Sequence, residues 1–334
     1  MDLGKLELVL AGQAAYRGRQ VRKALFGELA EDWGQVSVLP KDLRGQLTAQ
    51  CPIGIEAEVS RTADGRSEKA LITLHDGRRV ECVLMRHGDG RNTVCVSSQV
   101  GCPLDCAFCA TGKIGFERNL DAWEIVEQVV LFARRLKPHG DKVTNVVFMG
   151  MGEPFLNYDH VMDAVRMLND PEGFALGARR ISISTVGVTD GIRRLAAEGV
   201  QVNLAVSLNG PDDGVRARIM PAGRKYPVAA VMQAVDEYVR ATGRRVMFEY
   251  IMIKGLNDSD ACARSLAKLL KGRLCVVNLI AYNATGAFAP SDTIRIKAFR
   301  SILEAGGLGV TQRYRFGGRI HGACGQLAGR RRDE

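Results

Sequence analysis

The sequence has no apolar run long enough to span a bilayer and no charged-then-apolar leader. The first absence excludes a helical membrane protein. Together with the start Met1-Asp-Leu-Gly-Lys-Leu-Glu-Leu, both set the expectation of a cytoplasmic chain. There is no low-complexity linker and no internal repeat, so a repeat array is excluded. Histidine is scarce, five in 334 residues, and only one Cys-x2-Cys pair occurs. With no second knuckle and no nearby histidine, a structural zinc site would lack part of its tetrahedral ligand set.

Cysteine itself is plentiful, nine in all. An odd number suits a reducing compartment better than a disulfide-stapled fold. Cys51, Cys82, Cys262 and Cys275 stand among apolar neighbours and read as buried small side chains. Cys102, Cys106 and Cys109 differ. They spell Cys-x3-Cys-x2-Cys within eight residues of predicted loop. Three such thiolates can hold three irons of a 4Fe–4S cluster, which normally takes four cysteines. The fourth iron is then free to bind and reduce a small molecule. Zinc remains the alternative on spacing alone.

The net charge of +9 favours polyanionic partners through counterion release. Basic residues gather at Arg17, Arg19, Arg22 and Lys23, at Arg216 and Arg218, at Arg244 and Arg245, and at Arg330 to Arg332. Each run alone is an ordinary solvated surface; together they raise nucleic-acid binding as a hypothesis.

Along the chain, residues 1–54 read as a small helical module, with one helix over Gln20 to Glu31 and another opened by Pro40. Residues 55–91 read as a β-hairpin connector, with strands at Ala70-Leu-Ile-Thr-Leu and Val80-Glu-Cys-Val-Leu-Met joined by His75-Asp-Gly-Arg. Over 92–334, six apolar runs alternate with helices. They begin at Thr93, Asn145, Arg180, Val202, Val246 and Cys275, and Asp121 to Leu136 is an amphipathic helix with an acidic start. This alternation predicts an α/β fold: a parallel sheet covered by helices, closed into a partial or full barrel. Such barrels collect reactive groups at the C-terminal ends of the strands. The cysteine loop, Gly150-Met-Gly-Glu153, Ser184-Thr185, Ser207-Leu-Asn209 and Asn283 all fall at such ends.

Cys102-Pro-Leu-Asp-Cys-Ala-Phe-Cys109 resembles the signature of the radical S-adenosylmethionine (SAM) superfamily, and Gly150-Met-Gly-Glu-Pro154 resembles its Gly-Gly-Glu element. Two remote cysteines narrow this. Cys95 stands in Cys95-Val-Ser-Ser-Gln-Val-Gly-Cys102, and Cys324 in Gly322-Ala-Cys-Gly-Gln-Leu327. With Ala110-Thr-Gly-Lys-Ile-Gly-Phe-x-Arg-Asn-Leu120, Phe148-Met-Gly-Met-Gly-Glu-Pro154 and Ser182-Ile-Ser-Thr-x-Gly187, these stretches resemble the RlmN/Cfr family of radical SAM RNA adenine C-methyltransferases over nearly the whole chain.

The resemblance implies a partial (β/α)6 radical SAM barrel, a 4Fe–4S cluster on Cys102, Cys106 and Cys109, and two SAM molecules per turnover. Gly152, Glu153, Ser184, Ser207, Leu208, Asn209 and Asn283 match positions that bind SAM. Cys324 would take a methyl group from the first SAM. A 5′-deoxyadenosyl radical from the second would remove hydrogen from that methyl, and the resulting carbon radical would add to adenine carbon 2 or carbon 8. Glu81 matches the position of a catalytic base. Cys95 would attack the Cys324 sulfur, forming a transient disulfide and freeing the methylated RNA. The implied partners are RNA, 23S ribosomal RNA first and transfer RNA second, and a reducing electron donor such as flavodoxin. The chain is expected to be a monomer, with the helical module and basic surface gripping RNA. Departures from the carbon-2 pattern stand at Phe316-Gly-Gly-Arg-Ile-His321, where Arg319 and His321 replace acidic character, and at Asn209, where histidine is common. A paralogue acting on another RNA, or on a non-RNA substrate, is the alternative.

Overall fold

The structure is a computed structural model that describes residues 1–313 and 317–329; the sequence features placed at Phe316 and Arg330 to Arg332, and the Arg319 side chain, lie outside what it describes. The N-terminal module contains α1 (Leu3–Ala11), α2 (Ala15–Arg22) and α3 (Lys41–Gln50). The helix expected over Gln20 to Glu31 begins earlier, at Ala15. It runs into a π-helical turn at Lys23–Glu28 and stops where Leu29 adopts a left-handed φ of 57°. Trp33 is buried here and donates its indole N–H to Cys51 O at 2.7 Å, satisfying the one polar atom of a core aromatic.

Strands β1 (Glu56–Arg61), β2 (Ser67–Thr73) and β3 (Arg79–Arg86) form an antiparallel meander. It is not a separate sheet, because β3 pairs antiparallel with β4 (Asn92–Val96) from Val83↔Cys95 to Arg86↔Asn92. From β4 the chain turns into a short ribbon, β5 (Gln99–Gly101) against β6 (Phe116–Asn119), with the cysteine loop and the single helical turn α4 (Ala110–Lys113) between them. Gly101 has φ 75°, and a Cβ there would sit 1.8 Å from Gly115 O, so the loop closes only over glycine.

The rest alternates as expected. Helix α5 (Ala122–Leu136) starts with a capping box in which Asp121 and Glu124 satisfy each other's backbone N–H groups. Then follow β7 (Asn145–Phe148), α6 (Tyr158–Asn169), β8 (Ile181–Thr185), α7 (Thr189–Ala197), β9 (Asn203–Ser207), α8 (Asp213–Ile219), α9 (Val228–Thr242), β10 (Val246–Met252), α10 (Asp260–Leu270), β11 (Cys275–Ala281) and α11 (Thr293–Ala305). A strand the sequence pattern does not predict, β12 (Val310–Gln312), pairs parallel with β11. Three residues are too few to show a period. The sheet order is β1-β2-β3-β4-β7-β8-β9-β10-β11-β12, parallel from β4 onward. The helices bury their apolar faces against it in one continuous core.

The N-terminal module docks on α5. Arg134 of that helix donates to Ile53 O at 3.2 Å and to Ala30 O, and Phe26 tilts against Trp123 with ring centroids 6.2 Å apart. Among the remaining cysteines, Cys51 and Cys82 are buried as expected, while Cys262 and Cys275 are half-buried. Arg216 corrects the reading of its run as surface: it is fully buried and donates to Tyr226 O and Val186 O. No helix among the described residues is long and apolar enough to cross a membrane.

Candidate active site

The cysteine loop lies over the C-terminal ends of the strands. Cys102 N donates to Gly115 O at 2.8 Å, Cys109 N to Cys106 O at 2.9 Å and Ala107 N to Ile219 O at 2.9 Å, which fix the loop's path. Cys106 lies within electrostatic reach of both Cys102 and Cys109. It packs in an apolar nest of Ile219, Met220, Ile251, Ile253 and Tyr282. Among the described residues no three Cys, His, Asp or Glu side chains converge on a point that would hold a single metal ion. Three cysteines on one loop, mutually within electrostatic reach through Cys106, are one ligand short of a tetrahedral zinc site and match the open ligand set of a cluster.

Glu153 stands beside this loop, close enough to be felt by Cys102 and Cys106. Its carboxylate is buried and accepts from Phe155 N at 3.1 Å and Val186 N at 2.8 Å. Burial pushes its pKa up to about 7, only partly offset by those N–H groups. Gly152 serves the chain's own packing. Its φ is 97° and a Cβ would sit 2.6 Å from Gln99 Cβ, so the glycine lets the loop pack against the β5 strand.

On the neighbouring strand ends Ser184 Oγ donates to Glu249 Oε2 at 2.7 Å, and Ser207 Oγ lies 3.3 Å from both Glu249 Oε2 and Ser184 Oγ. Arg313 completes the set, donating to Glu249 Oε1 at 3.0 Å. Leu208 is in the core, its N–H on Glu249 O at 3.0 Å. Asn209 is buried, with φ 56°, and its side chain braces the backbone: Oδ1 accepts from Ile251 N at 2.9 Å and Nδ2 points at Met220 Sδ, 3.1 Å away.

The two remote cysteines meet. Cys95 and Cys324 line one cavity of about 440 Å³ inside the barrel, along with Asn283 and Arg313. Neither is in a disulfide. Burial pushes Cys95 up to about 12 and Cys324 up to about 11; Cys324 adds to the rise at Cys95, Glu249 adds to both, and the Arg313 guanidinium beside them pulls the other way. Cys109 is also within electrostatic reach of Cys324. The segment carrying Cys324 is stitched to the cysteine loop. Ala110 N donates to Gly325 O at 2.7 Å, Thr111 Oγ1 to Leu327 O at 2.6 Å, and Asn283 Nδ2 to Cys324 O at 3.0 Å.

Comparison with known proteins fits this arrangement. The model of the radical SAM superfamily matches residues 96–263. The chain is 44% identical over 321 residues to a probable dual-specificity RNA methyltransferase RlmN of Rhodopirellula baltica, covering 95% of this chain and 85% of that one. It is 43% identical over 326 residues to the ribosomal RNA large subunit methyltransferase N of Nitrosopumilus maritimus, covering 95% and 93%. The chain belongs to the RlmN family of radical SAM methyltransferases. The crystal structure of a radical SAM methyltransferase from Sphaerobacter thermophilus superimposes with a TM-score of 0.95 at 47% identity, covering 99% of this chain and 98% of that one.

Radical SAM membership implies a 4Fe–4S cluster and SAM. The residues present fit both. The three thiols offer an incomplete cluster ligand set. Glu153 is a buried carboxylate with no cation partner among the described residues, and the buried Asn283 Oδ1 has no hydrogen-bond partner. Both are acceptors placed to receive the ammonium and polar edges of a bound ligand.

Glu81 is where RlmN-family resemblance and geometry part. It does not line the cavity. Its carboxylate is buried, 2.5 Å from Lys69 Nζ, and its Oε2 accepts from Ala328 N at 2.6 Å and Gly329 N at 3.1 Å. In this conformation it anchors the tail. Two members of the site were missed from sequence: Glu249, inside the apolar run Val246-Met-Phe-Glu-Tyr-Ile-Met, and Arg313. A charge inside a strand buried on both faces signals a partner, and Glu249 carries that signal.

Proposed function

We propose that this enzyme methylates a ring carbon, 2 or 8, of adenosine in RNA, large-subunit ribosomal RNA first and transfer RNA second. The supporting relatives are named for RNA methyltransferase activity, and their chains are covered almost end to end. One observation carries the chemistry: Cys95 and Cys324, remote in sequence, share the wall of a single cavity beside the cysteine loop.

Cys102, Cys106 and Cys109 hold the cluster, which when bound supplies the electron that splits SAM. Glu153 receives the SAM ammonium, and Asn283, Ser184 and Ser207 orient its remaining polar groups. Two SAM molecules serve each turnover, one as methyl donor and one as radical source. Cys324 would take the methyl as a thioether, releasing S-adenosylhomocysteine; loss of one methyl hydrogen to the 5′-deoxyadenosyl radical from the second SAM would then let that carbon add to the ring, so the ring carbon need not act as a nucleophile. After the adduct gives up its unpaired electron, Cys95 would attack the Cys324 sulfur and break its bond to the methylene, which takes a proton to become the product's methyl group; the resulting disulfide is reduced by an external dithiol. A cavity of about 440 Å³ accepts a flipped purine. Glu81 removes the ring proton only after the Ala328 and Gly329 contacts open.

The test uses cluster-reconstituted protein, reductant, methyl-deuterated SAM and unmodified large-subunit ribosomal RNA. Mass spectrometry of the nucleosides is expected to show 2-methyladenosine or 8-methyladenosine lacking one deuterium. Cys324→Ala is expected to abolish this product while retaining iron. Full methylation by Cys324→Ala sinks the reading.

A further inference from the structure

A closed α/β barrel is filled by layers of side chains. This ten-stranded sheet is open at its β1 and β12 edges and hollow inside. Its cavity is lined near the N-terminal strand ends by Thr93, Asn145 and Ser182, at mid-height by Asn278 beside Thr311, and higher up by Cys95 and Cys324. The hollow therefore reaches the opposite rim from the cysteine loop. The upper mouth is covered by the tail through Gly325, Leu327 and the Asn283 bond to Cys324. A base approaching from above meets that tail; a base approaching from below meets an opening edged by the exposed Arg91 and Gln312.

The lower rim is also where unneutralised cations collect. Lys142 precedes β7, Arg179 and Arg180 precede β8, and Arg244 and Arg245 precede β10. None of the five has an ion-pair partner among the described residues. Arg179 is held by Gln201 at 2.8 Å and Arg244 by Asn203 at 2.9 Å, both neutral. Asn203 in turn donates to Arg179 O at 2.8 Å, so the arc is physically continuous. Lys142 and Arg180 share one concave groove with Arg91, whose charge is met by Asp89 at 2.8 Å. Asp141 is the exposed acid nearest in sequence. On the outer helices Arg166, Arg193, Arg194, Arg264 and Arg300 are each paired with a carboxylate, and the cations left over, such as Arg240, Lys268 and Lys297, are spread over separate helices. Five cations gathered on one rim make the denser polyanion-binding surface.

We propose that RNA docks on the N-terminal rim of the barrel, opposite the cysteine loop. Its phosphates lie on the arc from Lys142 through Arg180 to Arg245, and the target base is threaded upward through the hollow to Cys324. This rests on the RNA reading above and adds the face, the polarity of entry and the residues. Charge complementarity favours a phosphate backbone over a protein partner, because five unpaired cations in an arc match a repeating polyanion.

The test compares full-length cluster-loaded protein with K142E/R180E/R245E and with a charge-matched control, K225E/K268E/K297E, on exposed lysines elsewhere. Binding of unmodified large-subunit ribosomal RNA is measured against salt, and methylation kinetics against RNA concentration. Equal iron content and melting temperature establish that each variant is folded. The rim variant is expected to lose roughly tenfold or more in RNA affinity, with the log–log salt slope shallower by about 2 to 3, while the control matches wild type. If the rim variant binds and methylates with unchanged affinity and KM while wild type methylates RNA, the docking face is wrong and the RNA reading stands. If wild type neither binds nor methylates RNA, both fall together.

Discussion

Glu81 and Glu153 are buried almost equally, at 1% and 3% exposure, yet the protein treats them in opposite ways. Glu81 has a cation of its own chain, Lys69 at 2.5 Å, and two tail N–H groups. Glu153 has only neutral donors, two backbone N–H groups and the Thr185 side chain, and its pKa rises to about 7. A buried carboxylate without a counter-charge is expensive to keep ionised. The difference teaches which carboxylate serves the fold and which waits for something outside it. Glu81 is neutralised internally and closes the tail; Glu153 has no counter-charge among the described residues, which is what the proposed SAM ammonium would supply.

Three experiments break or sharpen that contrast. The largest effect is expected from Glu81→Gln, which strands Lys69, 9% exposed, without its partner. A broken buried pair costs about 3–5 kcal/mol, read as a lowered melting temperature. The tail should also become open to proteolysis and Cys324 faster to alkylate. The double variant K69M/E81Q should recover part of the loss, and a double variant no better than E81Q would show that the pair is not what holds the tail.

Glu153 comes second, through pH. Its folded pKa of about 7 lies above the unfolded 4.5. The folded state thus binds more protons in between, and SAM-free stability falls as pH rises from about 4.5 to about 7, by roughly 3 kcal/mol in total. Glu127 is raised similarly, so the measurement is the difference between wild type and Glu153→Gln, whose curve lacks this component. SAM should flatten the wild-type curve, and E153Q should weaken SAM binding by about 10- to 100-fold, the worth of a charge-assisted bond. A SAM-insensitive pH profile in wild type would remove Glu153 from the ligand site.

The smallest effect belongs to the glycine that seats Glu153. Gly152→Ala meets both a left-handed φ and Gln99 Cβ at 2.6 Å, for an expected loss of about 1–3 kcal/mol. Gly77→Ala has a φ of 80° but open space around it, so it isolates the backbone cost and should lose less.

Much of this was legible beforehand. The cysteine loop and six of the parallel strands announce themselves because each depends on local spacing or period. The Cys95 and Cys324 meeting was legible only through family resemblance, since nothing local ties a strand cysteine to a tail cysteine. Lys69 and Arg313 were invisible because long cationic side chains read as surface until their neighbours are known. That Gly152 also packs against the chain's own β5 strand was not legible, because the approach of Gln99 is a tertiary contact. Asn209 and Leu208 sit at the right strand end, yet in this conformation they brace Ile251 and the core rather than face the cavity.

The stitches from Ala110 and Thr111 to Gly325 and Leu327 also have a temporal consequence. A ribosome makes the cysteine loop long before the segment that covers it. Until Gly325 and Leu327 have been made, the loop lacks these contacts. Once they settle, the loop and the Cys324 segment become one unit, and wider access to the three thiols requires breaking those contacts.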